Sequence, residues 1–490
     1  MGSGERALDS TASPAIGARL GLDVLNGSDF RRRLNPYVAI VALAGSLTLA
    51  LVWVLAGTPA ILAVPFFALG ALYGSFNLVI FIASRSYRRL SLPRRAIGLH
   101  PKVAVLYATC NDFDERAFAS VVELRYPFKE IFVLDDSTRP EVRARVDRAV
   151  AEHGVRVLRR EDRRGYKAGA INQVLPSVDY EFFAVVDADE ILPPDFLERA
   201  LEYFVEDRIA FVQASHYAYN RGSRWTAAMG HGVDLHWKIF QKYRNAHGVV
   251  NFLGHGAVLR TAAVRAVGGF PELVSEDIAL TVELARAGFR GVFADDLVCG
   301  EAFPDSFSAF RRRHKKWAMG TAQFLRRYLG RMITAPLAWY ERLDLILPAL
   351  SLPMTVLLAV FIVGVRFVPI PISLPVVAIT LLAIGAPLLP FFTLPRGEKL
   401  PALLVNSVAF MSLFSISLVY FLRGALGRAV FLVTGERGPK GRAKDVAWDF
   451  SVGLTLVALY PVNVLGVVAL GTPLLMLLFD RARGPARTSG

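Results

Sequence analysis

The chain has 490 residues, 53% of them hydrophobic and 20% charged, with a formal net charge of +14. That apolar share exceeds what soluble domains carry, and the charged share is too high for bilayer spans alone, so the composition points to a mixed chain, part membrane and part water-soluble domain. The two cysteines, Cys110 and Cys299, exclude a disulfide framework. Arg and Lys crowd beside hydrophobic stretches without interleaved aromatics, which argues for cytoplasmic flanks of spans and against nucleic acid as a partner.

In chain order, residues 1–34 are expected to form a cytoplasmic N-terminal segment: they are polar and mixed, without a signal-peptide pattern, and the first apolar run follows Arg31-Arg32-Arg33. A bilayer crossing needs roughly 20 apolar residues. Runs at 38–55 and 61–83, joined by Gly57-Thr58-Pro59, predict a transmembrane hairpin over 35–84. Arginines on both flanks, including Arg85, Arg88, Arg89, Arg94 and Arg95 after it, put the following domain on the cytoplasmic side. Over 95–310 the composition becomes that of a soluble domain. Short apolar runs at 103–107, 131–134 and 182–186 read as buried parallel strands, with helices at 141–152 and 168–174. This alternation predicts an α/β nucleotide-binding fold with its ligand at the carboxyl ends of the strands. Next come predicted amphipathic interface helices (311–335), a second transmembrane hairpin (340–393) and an interfacial or transmembrane helix (400–424). A C-terminal stretch over 450–480, broken by Pro461 and Gly471-Thr472-Pro473, supplies one or two spans, for five or six in all.

The chemistry is concentrated where carboxylates meet strand ends. Asp135-Asp136 follows one predicted strand and Asp187-Ala188-Asp189 another. Aspartates one residue apart can both face a hard divalent cation, Mg²⁺ or Mn²⁺, which bridges and neutralises a diphosphate. Any single acidic pair is more often a solvated turn. Two later features shift that balance: Ser275-Glu276-Asp277 before an apolar helical pattern, and the basic run Arg313-His314-Lys315-Lys316-Trp317. A transferase that breaks a sugar–diphosphate bond needs a metal for the leaving group, a carboxylate for the acceptor proton, and cations or an aromatic platform near the sugar.

Taken in this order, the residues resemble the membrane-embedded, processive members of glycosyltransferase family 2, the group of cellulose synthase, hyaluronan synthase and chitin synthase, over about 103–317 and again near Phe431. The resemblance implies a GT-A type α/β cytosolic domain inserted between transmembrane helices. Ala108-Thr109-Cys110-Asn111-Asp112 is similar to the family's first strand-end turn, Asp135-Asp136-Ser137 to its uridine-binding Asp-Asp-Gly, and Lys167-Ala168-Gly169-Ala170-Ile171-Asn172 to its diphosphate-contacting segment. Asp187 and Asp189 are thereby implied as metal ligands and Asp277 as the catalytic base. Donor contacts are implied for Thr109, Asp112, Asp135, Asp136, Lys167, Asp187, Arg313 and Lys316. Phe252-Leu253-Gly254-His255-Gly256 stands where the family has Phe-Phe-Cys-Gly-Ser, implying acceptor contacts for Phe252, Leu253, Gly254 and His255, joined by Glu276 and Trp317. The family's Gln-x-x-Arg-Trp becomes Arg313-x-x-Lys316-Trp317: Lys316 keeps the charge without the bidentate fork of Arg, and the indole remains a stacking platform. A gating loop within 425–447 is matched by Phe431, Val433 and Thr434, ending in Glu436 with Arg437 beside it.

The resemblance implies a multi-pass protein of the bacterial inner (plasma) membrane with a cytoplasmic catalytic domain. Its expected activity is processive, inverting polymerisation of a β-linked polysaccharide, a β-glucan first, secreted between the membrane lipids. The expected donor is UDP-glucose, then UDP-N-acetylglucosamine, and the other partner is the growing polysaccharide. Transfer of one sugar to a lipid carrier would differ in product size, and a polysaccharide transporter with a nucleotide-sugar-binding domain would bind without turnover.

Overall fold

The computed structural model describes residues 35–87, 92, 94, 100–428, 439–461 and 463–480. The expected gating-loop residues Phe431, Val433 and Thr434, the segment 1–34 and the tail beyond 480 lie outside the described residues.

The strands are β1 (Val103–Thr109), β2 (Lys129–Asp135), β3 (Arg156–Leu158), β4 (Phe182–Asp187), β5 (Glu190–Ile191), β6 (Ile209–Ala218), β7 (Ala257–Arg260) and β8 (Arg290–Glu301). They form one sheet in the order β3-β2-β1-β4-β7-β6-β8-β5. β1 pairs in parallel with β2 and β4, whereas β7 runs antiparallel to both β4 and β6. Because β1 is covered on both faces, its apolar residues run on without polar alternation. Val103, Val105 and Tyr107 pack with Phe118 and Val146 on one side, while Ala104 and Leu106 pack with Ile171 and Leu280 on the other.

The chain leaves β1 for β2 and β3 on one side, then returns to β4 on the other. The reversal opens a crevice between β1 and β4 at their carboxyl ends, where open α/β sheets hold ligands. Ala108 lies opposite Asp187 across that crevice, so the turns 109–112 and 187–190 face each other.

By length and composition, three helices among the described residues could cross a bilayer: Pro36–Leu55, Pro59–Tyr87 and Leu374–Thr393. The count rises to five if two bent pairs each act as one span: Trp339–Ala349 with Ser351–Gly364, bent by 59°, and Arg396–Met411 with Phe414–Ala425, bent by 47°. The stretch 400–424, expected to be one helix, is therefore two. The break has a physical cause: Arg311 donates to the Ser412 carbonyl at 2.7 Å, so a side chain takes an acceptor at the break. Arg311 is itself buried and paired with Asp449 at 2.5 Å. Toward the C-terminus the expected breaks occur, as Pro439–Leu459, Val464–Leu470 and Thr472–Asp480 are separate helices. Small residues permit close packing in the helical part; a Cβ on Gly74 would lie 2.8 Å from the Ala383 nitrogen.

Candidate active site

At the end of β1, Asn111 takes a left-handed conformation (φ 64°), and its side-chain oxygen accepts from the Thr138 and Arg139 amides at 2.9 and 3.0 Å. One Asp112 oxygen accepts from the Thr109 hydroxyl at 3.0 Å and the Cys110 amide at 2.7 Å. Burial still lifts the Asp112 carboxyl above the usual range. At the end of β2 the two aspartates are engaged by arginines. Asp135 is wholly buried, takes Arg159 at 2.7 Å, and accepts from the Ser137 amide at 2.9 Å. Asp136 receives two Arg160 nitrogens at 2.8 and 2.5 Å, and Arg160 also reaches the carbonyls of Arg164 and Tyr166. The loop 160–166 is thus closed over the end of β2.

The helix Tyr166–Val174 then presents Lys167, whose ammonium pairs with Asp187 and donates to the Gly254 carbonyl at 2.6 Å. Burial opposes the Lys167 charge, but Asp187 and Glu276 outweigh it and hold its pKa above the ordinary value. Asp187 shows the converse: burial would raise it, yet Lys167 and His255 bring it below the usual range. Asp189 is exposed at the crevice, yet desolvation by the surrounding protein and then the charges of Asp187, Asp112 and Glu301 push it up to about 7, with His255 opposing the rise. This crowding of carboxylates is what a bound divalent cation would relieve, so Asp187 and Asp189 fit such a group.

Glu190 follows directly and turns inward. One oxygen meets His216 Nε2 at 2.6 Å and His255 Nδ1 at 3.4 Å, while the other accepts from the Gly256 amide at 3.0 Å and the Asp187 amide at 3.3 Å. Burial would raise this carboxyl, but His255 and His216 hold it at about 2. Burial likewise works against the His255 cation, yet Glu190 and Asp187 lift it to about 10. Ligand atoms of Glu190, His216 and His255 lie within 4.8 Å of one another, a set able to hold a metal ion. With both carboxylate oxygens already taking donors, the set is closed upon itself.

The third portion is the helix Glu276–Arg286. Burial raises the carboxyls of both Glu276 and Asp277, with Lys167 and Lys316 opposing the rise. A Cβ on Gly254 would sit 3.6 Å from Asp277 Oδ2, so the backbone that accepts from Lys167 also faces Asp277. The long helix Phe307–Ile333 packs on this turn: Gln323 accepts from the Val274 amide at 3.1 Å, and a Cβ on Gly320 would meet Ser275 Oγ at 2.6 Å. Its Arg313 lies in the field of Glu301 and Asp189, stacks between Phe303 (4.6 Å) and Trp317 (4.7 Å), and keeps a buried Nε without a partner. Trp317 leaves 45% of its surface exposed.

The structure therefore brings Asp112, Lys167, Asp187, Asp189, His255, Glu276, Asp277, Arg313 and Lys316 together round one crevice. Two expectations need correction. Phe252 does not line an acceptor site; its ring is fully buried, 5.9 Å from each of the Phe211 and Phe270 rings. Asp135 is likewise enclosed, spent on Arg159 and Ser137. In an irregular turn, side-chain direction follows the local dihedrals and not a period. Sequence reading also missed Arg159, Arg160, Gln213, His216 and Glu301. Only Glu190 had a local signal, its position beside Asp189.

A mixed sheet with a parallel half, two acidic strand-end turns and a half-buried carboxylate pair opposite them makes a GT-A-like α/β fold. Residues 182–393 match the family model described as "Glycosyl transferase family group 2". It is similar to the probable glucomannan 4-beta-mannosyltransferase 1 of Arabidopsis thaliana, 30% identical over 244 residues, covering 46% of this chain and 44% of that protein. It is also similar to glucomannan 4-beta-mannosyltransferase 7 of the same plant, 28% identical over 48% of this chain and 45% of the relative. The chain spans less than half the length of these curated relatives. Among solved structures it is similar to the mannosyltransferase PcManGT from Pyrobaculum calidifontis in complex with GDP-Man and Mn²⁺, at 19% identity and a TM-score of 0.48, over 78% of this chain and 99% of that one.

Proposed function

We propose that the protein is a multi-pass membrane glycosyltransferase that adds mannosyl units from a nucleotide-activated donor to a β-linked polysaccharide, with inversion at the anomeric carbon. The relatives' names carry mannose and not glucose, so mannan or glucomannan replaces the β-glucan expected from the motifs, and UDP-glucose gives way to nucleotide-activated mannose. The observation that carries the reading is the Lys167 ammonium, which touches Asp187 on one side and the Gly254 carbonyl facing Asp277 on the other.

Asp187 and Asp189 would hold the divalent cation, Mg²⁺ or Mn²⁺, which when bound offsets diphosphate charge. Asp112 would meet the nucleoside end of the donor, with Asp136 behind it holding Arg160. Arg313 and Lys316 add positive charge on the leaving-group side. Asp277 accepts the proton of an acceptor hydroxyl as that oxygen bonds to the anomeric carbon. The bond from that carbon to the diphosphate oxygen breaks, and the nucleoside diphosphate departs with the electron pair. In-line attack on an α-linked donor gives a β-glycoside. Burial suits Asp277 for this work, because a raised carboxyl is a stronger base once ionised. The exposed Trp317 ring offers a stacking surface for the acceptor sugar. The three to five apolar helices among the described residues support a membrane location; in this reading the crevice faces the cytoplasm and the growing chain is retained through successive additions.

The test is to purify the protein in detergent with Mn²⁺ and supply GDP-mannose, UDP-glucose and UDP-N-acetylglucosamine in parallel. Any product is then sized and digested with linkage-specific hydrolases. Mannose-containing product cleaved by a β-mannanase is expected. Binding of every donor without turnover would refute the enzymatic reading, and a single lipid-linked sugar would refute polymerisation.

A further inference from the structure

Residues 252–256 form a short strap between the two halves of the crevice, and its backbone is held almost entirely by side chains from elsewhere. The Phe252 amide donates to Thr281 Oγ1 at 2.9 Å, and that hydroxyl donates to the Asp277 carbonyl at 3.1 Å. The Leu253 amide donates to Gln213 Oε1 at 2.9 Å, and Gln213 Nε2 returns a bond to the His255 carbonyl at 2.9 Å. Lys167 takes the Gly254 carbonyl and Glu190 the Gly256 amide. Gly254 (φ 90°) and Gly256 (φ 56°) provide left-handed kinks that other residues resist. Of its three side chains, Phe252 is buried and Leu253 and His255 are partly exposed.

Gln213 is the centre of this arrangement. It lies fully buried in mid-strand, opposite Ala257 on β7 and Phe293 on β8, and touches none of the residues assigned above to metal, base or donor. A buried amide is retained in a strand interior only where its partners satisfy it, and here they are the strap's own backbone groups.

We propose that Gln213 is a positioning residue for the acceptor: it fixes the strap between the Asp187–Asp189 turn and the Asp277 helix, so that the acceptor hydroxyl is aligned with the donor's anomeric carbon. Thr281 performs the same task from the Asp277 side. Resting on the transferase function proposed above, this predicts a partition effect. A loosened strap misaligns the acceptor, whereas water, which needs little orientation, still attacks the donor.

The experiment compares sugar transfer with acceptor-free donor hydrolysis in Mn²⁺, alongside donor affinity by calorimetry. Gln213→Leu is expected to lower the transfer-to-hydrolysis ratio about tenfold or more, with donor affinity within about twofold of wild type, since groups more than one strand away hold the donor. Thr281→Val should shift the ratio the same way and Thr281→Ser should restore it, which keeps the test open if Gln213→Leu does not fold. Parallel loss of transfer and hydrolysis, or an unchanged ratio in both variants, would overturn the proposal. A wild-type protein that transfers no sugar would instead overturn the proposed function.

Discussion

Asp277→Asn is the most informative single change. The amide keeps the side chain's shape and can still accept from the Ile278 amide, now at 2.8 Å, so the first turn of the helix loses little. What it loses is the ability to take a proton. A positioned general base contributes about 10²- to 10⁴-fold, or about 3–5 kcal/mol of barrier, so kcat should fall by that factor while donor affinity holds. Stability should move the other way. A carboxyl whose folded pKa is raised holds more protons in the folded than in the unfolded chain between the two pKa values, so stability falls as pH rises through that window. Above it the native protein bears the cost of ionising a half-buried carboxylate, which desolvation imposes on Asp277 and which the Ile278 amide, Lys167 and Lys316 offset in part. The neutral amide removes that cost, and Glu276 loses a like-charged neighbour. The thermal midpoint at pH 7.5 should therefore stay level or rise. Nucleotide release per enzyme and a thermal melt of the same preparation suffice. A kcat within tenfold of wild type, or a lower midpoint accompanying lost activity, would show that Asp277 serves the fold and not the chemistry.

Divalent cation should stabilise the protein through Asp189. Its pKa of about 7 means that stability is withheld as pH rises from the ordinary carboxylate range toward 7. Mn²⁺ at 100 times its Kd should add about 2.7 kcal/mol. The rise in thermal midpoint should be larger at pH 8 than at pH 6, where protons compete, and an equal rise in Asp189→Asn would contradict the assignment. Trp317→Ala should barely alter stability, because the ring is 45% exposed, yet raise the acceptor KM about two- to tenfold from lost stacking; Trp317→Phe should recover most of it. Gly256→Ala should destabilise by about 2–4 kcal/mol in chemical denaturation, because a Cβ there meets Glu190 Oε1 and His216 Nε2 at 2.3 Å on a backbone already at φ 56°.

What the sequence by itself determined is what lies within a few residues of its own signal. The strands at 103–109, 129–135 and 182–187 were legible because burial on both faces leaves unbroken apolar runs. The Asp135-Asp136 and Asp187-Ala188-Asp189 turns were legible because acidic residues directly follow such runs, and the apolar helices because a bilayer crossing demands length.

Tertiary structure alone decided how those pieces act on one another. Arg159 and Arg160 reach back 24 positions to engage Asp135 and Asp136, and Gln213 reaches 40 and 42 positions forward to hold Leu253 and His255. Phe252 turned into the core and Arg311 took the Ser412 carbonyl at the break between two helices. No local period encodes these events. Each depends on which backbone group the folded sheet and helices leave in need of a partner, and that is settled only when the strands have found their neighbours.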